Sequence, residues 1–421
     1  MKKNFIKNFS DQFKYMPMLG WLIAAFFSVI LELSIGYPLS FILLLPKIPV
    51  LFGFVMMLKV PFLIPSALIY VLIIYILPAF IVARFFSNSV NNLSAKLYKT
   101  PLWLCTLIHI VILYVILHLW AGISDYRTLV LKLMMIAIIV TLSINVINGY
   151  MGEFSCSHPG FMAVGAYVSS TITLILLTND KLFGAAILPS YLSHFIFPIA
   201  LVAGGAVAAL SSLIVAIPSF RTRGDYLAII SLAFMFIIKS IIENVEIIGG
   251  PRGMGGQPAC STLPVVFMWT AACIWIINNF VRSILGKALN AVRDDETAAE
   301  AMTVNTKRTK IVTFMFAAFW AGVAGGLIAH VLRYVNPGSF GIQRLAEIFA
   351  MVYFGGLNSV VGSIAGAVGF NLLSEALRPL ELFKWIIIPV LMILMMIYRP
   401  TGLIAFKEFD VAKLLKPKQQ E

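Results

Sequence analysis

Long apolar runs separated by short polar or basic stretches dominate the pattern of this 421-residue chain. A transmembrane helix needs about 20 predominantly apolar residues to cross the hydrocarbon core, and the sequence contains such runs repeatedly. The pattern therefore predicts an all-α, polytopic helical membrane protein with about 10 to 12 transmembrane segments, including broken or re-entrant helices. We expect the spans at residues 17–36, 60–86, 102–121, 129–148, 161–177, 192–217, 226–242, 264–281, 311–332, 346–372 and 383–398.

The distribution of basic residues predicts which loops share a side of the membrane. Cytoplasmic loops carry an excess of Lys and Arg, and strict alternation from a basic, cytoplasmic N-terminus places the other basic loops on the same side. No small-residue cleavage site follows the N-terminus, so we interpret it as a tail and first span instead of a signal peptide. Proline-broken residues 37–59 leave room for a hairpin. We predict an extension with about three transmembrane helices (1–128), a core (129–406) and a basic cytoplasmic tail (407–421).

Two apolar regions are interrupted by small and polar residues. If successive loops alternate between the two sides of the membrane, one more crossing is needed to place the basic tail in the cytoplasm. The run 346–372 must therefore turn back near its centre; the alternative is one tilted span. Residues 148–161 contain four residues that we expect to prevent a continuous helix, and this segment is either re-entrant or an ordinary loop. Irregular backbone at membrane depth is tolerated only where protein packs around it or where it lines a cavity.

Composition excludes several classes of function. The chain is 60% hydrophobic and 12% charged, against about 25% charged residues in soluble domains. The basic excess, 31 Lys and Arg against 18 Asp and Glu, is explained by cytoplasmic loops, so no nucleic-acid partner is expected. The four cysteines show no metal-ligand spacing, and no phosphate-loop, zinc-protease or hydrolase motif occurs. We predict no enzyme activity, no cofactor and no metal site.

Ionisable residues inside apolar runs are costly and often mark ion pathways. Glu32 is the deepest, and the sequence shows no evident cationic partner for it at a matching depth. An ion-coupled secondary transporter built from such residues remains an alternative. The other members of this set are His109, Lys132, Lys239, His330 and Glu347.

Residues 282–310, which we call the charged loop, hold ten charged residues between two apolar runs. Asp294 or Asp295 is suited to cap a short helix, and the following ETAAEAM favours helix. A helix of about eight residues is only about 12 Å long, so it must lie along the membrane surface. It would show a knob of Ala298, Ala301 and Met302 edged by charges, which fits a groove on another protein; the alternative is a solvated loop.

The passage LGKALNAVRDDETAAEAMTVNTKRTK, residues 285–310, resembles the ATPase-coupling loop of ABC importer permeases, specifically the LivM type of branched-chain amino acid permease. Four further passages agree in order and spacing, so that the resemblance covers about residues 129–406. These passages are NGYMGEFSCSHPGFMAVGAYVSS, FRTRGDYLAIISLAF, ENVEIIGGPRGMGG, and FGGLNSVVGSIAGAVG continuing to MMIYRPTGL.

The resemblance implies the permease subunit of an ATP-driven importer in a bacterial cytoplasmic (inner) membrane. The partners implied are the lipid bilayer, a second LivH-like permease, two cytoplasmic ATP-binding subunits (LivG- and LivF-like) and an extracytoplasmic binding protein that delivers leucine, isoleucine or valine. Ser157, Thr303 and the pair Pro251 and Arg252 depart from the family pattern, so urea, amides or another small solute stay open as substrates.

The resemblance also implies roles for individual residues, while the substrate-binding residues stay unknown. The ATPase-coupling residues would be Gly286, Ala291, Arg293, Asp294, Glu296, Ala298, Ala299 and Asn305. The pathway or gate residues would be Gly152, Ser155, His158, Phe161, Gly355 and Gly356.

Overall fold

The computed structural model describes residues 16–45, 60–178, 184–220, 226–399, 401–406 and 409–418. Of these described residues, 82% are helical, and they include nine helices long and apolar enough to cross a membrane. The chain forms two compact units: residues 1–128, 372–385 and 410–421 make unit one, and residues 129–371 and 386–409 make unit two. The predicted polytopic, all-α membrane protein is confirmed.

The helices of the described residues are numbered here in chain order. The first nine are α1 Met18–Ile42, α2 Ile64–Phe85, α3 Ser87–Tyr98, α4 Leu102–Ala121, α5 Asp125–Met151, α6 His158–Leu177, α7 Ser193–Ser219, α8 Tyr226–Asn244 and α9 Leu263–Arg282. The remaining seven are α10 Ile284–Asp294, α11 Glu296–Ala301, α12 Thr306–Leu332, α13 Ile342–Gly355, α14 Val360–Ala376, α15 Glu381–Tyr398 and α16 Val411–Leu415. One short antiparallel ribbon pairs β1, Met254–Gly255, with β2, Tyr334–Val335.

The first span is longer than the sequence pattern predicted. We expected it to end at residue 36, before Pro38, but α1 continues through Pro38 to Ile42. Proline removes one backbone donor without forbidding the helix, and the last turn still closes with a hydrogen bond from Leu43 N to Leu39 O of 3.0 Å. Most of the predicted hairpin region, residues 46–59, lies outside the described residues.

The irregular segment that we predicted at residues 148–161 is shorter in the structure than expected. α5 continues through Gly149 as a π-helical turn, Val146–Met151, and α6 already begins at His158. Pro159 lies in the first turn of α6, where a missing N–H is not needed for the helix. The first helix break is therefore residues 152–157, and it starts at Gly152 with a left-handed φ of 77°.

The apolar run at residues 346–372 folds back on itself, as alternation predicted. α13 ends at Gly355 and α14 begins at Val360. In the intervening turn, residues 356–359, Gly356 has a φ of 117° and Asn358 a φ of 55°. A side chain at Gly355 would collide with the carbonyl of Gly362. The two helices are thus a tight hairpin, which we call the second helix break, and a single tilted span is excluded.

Unit two is built around a seam of small residues. α6, α7 and α12 pack against one another, and a side chain added at Gly165 would collide with the backbone of Gly322. Gly204 likewise lies directly against the backbone of Gly165. Small residues let membrane helices approach closely. Of the nine candidate spans, α5 and α12 have the largest buried share of their apolar 18-residue stretch, 83% and 72%.

Unit one packs α1 against α2 and α4, and the C-terminal α16 packs onto α1 and α4.

A buried ion pair in unit one overturns one expectation from the sequence, that Glu32 has no evident cationic partner. Glu32 does have a cationic partner, because Arg127 donates to it at 2.7 and 3.1 Å, and both side chains are fully buried. The partner was missed because Arg127 lies in the first turn of α5, two residues before the predicted span begins.

Candidate functional site

The charged loop forms two short helices, α10 and α11, between the spans α9 and α12. Ser283 caps α10 by accepting a hydrogen bond from Gly286 N at 3.4 Å, and Leu289 and Val292 bury its apolar face. Asp295 caps α11 by accepting from Ala298 N at 3.0 Å. Of the two predicted caps, Asp295 is therefore the one used, while Asp294 is the last residue of α10.

α11 presents a small apolar knob at the protein surface. Ala298, Ala301 and Met302 are all exposed, and Met302 keeps 77% of its surface accessible. Ala299 points the other way and is buried, so it packs α11 against the protein. The exposed knob that the helical pattern predicted is in place.

Other residues predicted for ATPase coupling have varied positions in the loop. Ala291 is exposed on α10, whereas Gly286 is buried, and a β-carbon added there would collide with the backbone of Val281. Asn305 caps α12 by accepting from Arg308 N at 3.0 Å. Gly286 and Asn305 thus shape the loop, and their role in coupling stays a prediction.

Arg293 connects α10 to the first helix break. Its Nη1 donates to the carbonyl of Gly149 at 3.4 Å, and its Nε and Nη2 donate to Asp294 Oδ1 at 3.0 and 2.8 Å. The stem of Arg293 lies so close to Gly152 that a β-carbon there would collide with it. Glycine at 152 is therefore required both by its left-handed backbone and by this contact.

Lys310, in the first turns of α12, makes a second connection to the same break. Its Nζ donates to Glu153 Oε1 at 2.8 Å and to Glu296 Oε2 at 2.9 Å. The Lys310 side chain is only 10% exposed, and its ammonium lies 5.8 Å from the centre of the Phe220 ring. Sequence reasoning missed this triad, because Glu153 and Lys310 are 157 residues apart.

Asn145 joins α5, the helix that leads into the first break, to the second break. It lies on α5 just before the π-helical turn, where its Nδ2 donates to the Ser359 carbonyl at 3.0 Å and to Ser363 Oγ at 2.6 Å. Its Oδ1 accepts from Asn358 N at 3.1 Å. One fully buried amide therefore ties α5, ahead of the first break, to the second break, and it too was not predicted from the sequence.

A strap of residues 402–406 holds the outer side of the second break. Leu403 N donates to Phe354 O at 3.1 Å, and Ile404 N donates to Gly355 O at 2.9 Å. The ring of Phe406, at the end of the strap, lies 5.9 Å from the Arg293 guanidinium. Gly355 and Gly356, predicted as gate residues, are thus enclosed by backbone on both sides.

The remaining predicted gate residues are packed in the protein interior. Ser155 and Ser157 share a hydrogen bond of 2.8 Å between their hydroxyls, and His158 is fully buried. The ring of Phe161 lies 5.2 Å from that of Phe234 and 5.7 Å from that of Phe314. The first break is therefore closed by side-chain packing here, and a gating role for these residues stays a prediction.

Among the described residues, no group of three or more His, Cys, Asp or Glu side chains is placed to hold a metal ion. What the site offers is a mechanical connection, from an exposed surface helix through ion pairs and hydrogen bonds to two breaks in the membrane helices. The fold and the site together define a polytopic helical membrane protein.

Comparison with known proteins identifies the family. The family model described as branched-chain amino acid transport system / permease component matches residues 126–398, and the chain belongs to this family. It is 31% identical over 318 residues to the high-affinity branched-chain amino acid transport system permease protein LivM of Escherichia coli K12, which covers 67% of this chain and 70% of that protein.

Two further relatives show the same relationship. Identity to LivM of Salmonella typhimurium is 31% over 305 residues, 64% of this chain and 68% of that protein. Identity to the LivH permease of the same organism is 25% over 286 residues, 65% of this chain and 92% of that protein. No solved structure matches the chain.

Proposed function

We propose that the chain is a membrane permease subunit of an ATP-driven importer (an ABC transporter) for the branched-chain amino acids leucine, isoleucine and valine. The relatives LivM and LivH are both named as permeases of high-affinity branched-chain amino acid transport systems, which supports this substrate class. The partners proposed are a second, LivH-like permease, two cytoplasmic ATP-binding subunits and an extracytoplasmic binding protein.

The proposed topology places both termini and the charged loop in the cytoplasm of a bacterial inner membrane. The basic residues of the charged loop and of the chain ends support this orientation, because the positive-inside rule assigns such segments to the cytoplasm. On this topology the ribbon of β1 and β2 lies on the opposite side, where a binding protein would deliver substrate.

The observation that carries the proposal is the connection between α11 and the first helix break. An ATP-binding subunit that grips the knob of Ala298, Ala301 and Met302 would move α11 as it closes on ATP. That movement reaches residues 149–153 through Arg293 and Lys310, and it reaches the second break through Asn145. Alternating access then results from two bistable breaks in otherwise rigid helices.

The proposal is tested by purifying the tagged chain from native membranes and by measuring uptake in parallel. We expect two ATP-binding subunits and a second permease to co-purify, and uptake of labelled leucine to be competed by isoleucine and valine but not by urea. Uptake should survive a protonophore while ATP is held high. Recovery of no ATP-binding subunit, together with protonophore-sensitive uptake at high ATP, would instead establish an ion-coupled transporter. Competition by urea or amides alone would reassign the substrate.

A further inference from the structure

The ion triad of Glu153, Lys310 and Glu296 lies between the surface helix and the first helix break. Glu296 is the first residue of α11, Lys310 lies on α12, and Glu153 follows Gly152 in the irregular segment. Three separate pieces of backbone therefore meet at one ammonium group. Of the three side chains, Lys310 is the most buried at 10% exposed, and Glu296 the least at 48%.

We infer that Lys310 is a positioning residue that transmits movement of α11 to the first helix break; this inference rests on the proposed function. Hydrogen bonds between charged groups are shorter and about twice as strong as neutral ones. Both bonds of Lys310 are of this kind, at 2.8 and 2.9 Å. The parallel contact from Arg293 is longer, at 3.4 Å, and ends on the neutral carbonyl of Gly149.

The geometry explains why a movement of α11 would not be lost before it reaches the break. Glu296 is anchored at the start of α11, so a tilt of that helix displaces its carboxylate and pulls on the Lys310 ammonium. Glu153 is held by the same ammonium on the other side, and its own N donates to Ile147 O at 3.2 Å, which ties it to the π-helical turn. A displaced Glu153 therefore acts on the end of α5 itself.

The test compares Lys310→Met with Lys307→Met in the full assembled transporter, reconstituted with its partners. Lys307 is an exposed lysine one turn earlier on α12, so it controls for loss of a charge in the same region. Substrate-stimulated ATP hydrolysis, solute transported per ATP and the amount of assembled complex are measured together. We expect Lys310→Met to lower solute transported per ATP about tenfold, a coupling effect of ordinary size, with assembly unchanged. Lys307→Met should match wild type.

Further variants separate transmission from simple stabilisation. Glu153→Gln keeps Lys310 and its bond to Glu296 and replaces the charged acceptor at 153 by a weaker, neutral one. It should keep ATP hydrolysis and lower solute transported per ATP, by less than Lys310→Met does. Lys310→Arg, which retains the charge and can donate to both carboxylates, should preserve most of the coupling. A purely structural role would instead lower hydrolysis and transport in proportion to the amount of complex lost.

The results that overturn the inference differ from those that overturn the proposed function. A normal ratio of solute to ATP in both Lys310→Met and Glu153→Gln would eliminate the transmission role while leaving the importer intact. A loss of ATP hydrolysis and of transport in proportion to the loss of assembled complex would also eliminate the transmission role. If wild type recovers no ATP-binding subunit, the proposed function fails whatever Lys310 does.

Discussion

Removing the positive charge of Arg127 should destabilise unit one strongly, since it leaves the Glu32 carboxylate buried without its counter-charge. Arg127 donates to both carboxylate oxygens, and its guanidinium lies 4.9 Å from the centre of the Trp120 ring. Tyr70 and Tyr75 donate to the same carboxylate at 3.1 and 2.7 Å. The cluster is thus a fully enclosed ion pair with two supporting hydroxyls.

The size of the effect follows from this burial. Breaking a buried ion pair by removing one partner typically costs about 3–5 kcal/mol, and we expect Arg127→Met to fall in that range. Replacing the whole pair by Met at both positions removes both charges, so it should cost less, about 1–3 kcal/mol, chiefly because the Tyr70 and Tyr75 hydroxyls lose the Glu32 acceptor. The double variant should therefore be more stable than the single variant.

The assay is unfolding of the purified chain in mild detergent micelles, followed by tryptophan fluorescence during titration with a denaturing detergent. Arg84→Met provides the control, because Arg84 is exposed at the end of α2 and its loss should change stability by less than about 0.5 kcal/mol. Equal stability of Arg127→Met and the double variant would refute the reasoning. It would mean that the Glu32 charge is accommodated without Arg127.

Three further predictions concern the site and the topology. Ala298→Trp enlarges the exposed knob and should lower transport and substrate-stimulated ATP hydrolysis together, with membrane insertion unchanged; normal values for both would rule out the assigned contact. Gly149→Ala places a methyl group against the Asn145 amide and 2.6 Å from Asn358 N, so it should reduce transport severalfold at normal expression, unlike Gly255→Ala, whose methyl group would meet its nearest atom at an ordinary contact distance of 3.6 Å. Cys260 should react with a membrane-impermeant maleimide only from outside the cell. Burial raises the pKa of its thiol, so labelling should be slow at neutral pH and accelerate as the pH rises; labelling only after cell lysis would reverse the topology.

Local physics explains which parts of the fold were predictable. Apolar length alone places the spans, because crossing the hydrocarbon core is a property of each segment. The capped surface helix was equally predictable, since Asp295 acts on backbone only three residues away. The fold-back at Gly355 was also predictable, because a cytoplasmic basic tail requires one more membrane crossing before it. Errors of a few residues occurred where proline and glycine are tolerated inside membrane helices, as in α1 and the π-helical turn of α5.

Long-range polar partners were not predictable from one sequence. Arg127 and Glu32 are 95 residues apart, and Asn145 and Asn358 are 213 residues apart. Nothing in the periodicity of a single helix specifies which distant carboxylate or amide it will meet. The predicted candidate site therefore contained the exposed helix, the two breaks and two of the connecting side chains, Arg293 and Glu296. It did not contain their distant partners Glu153 and Lys310, or Asn145.

The central claim is that an ATP-binding partner grips α11 at its exposed knob. The most direct measurement places a photo-crosslinking amino acid at Met302 and, as a control, at Tyr334, which is also exposed but lies in the ribbon assigned to the opposite side. We expect Met302 to cross-link to an ATP-binding subunit in native membranes, and Tyr334 not to. A transporter that remains active while position 302 cross-links to lipid alone would contradict the claim.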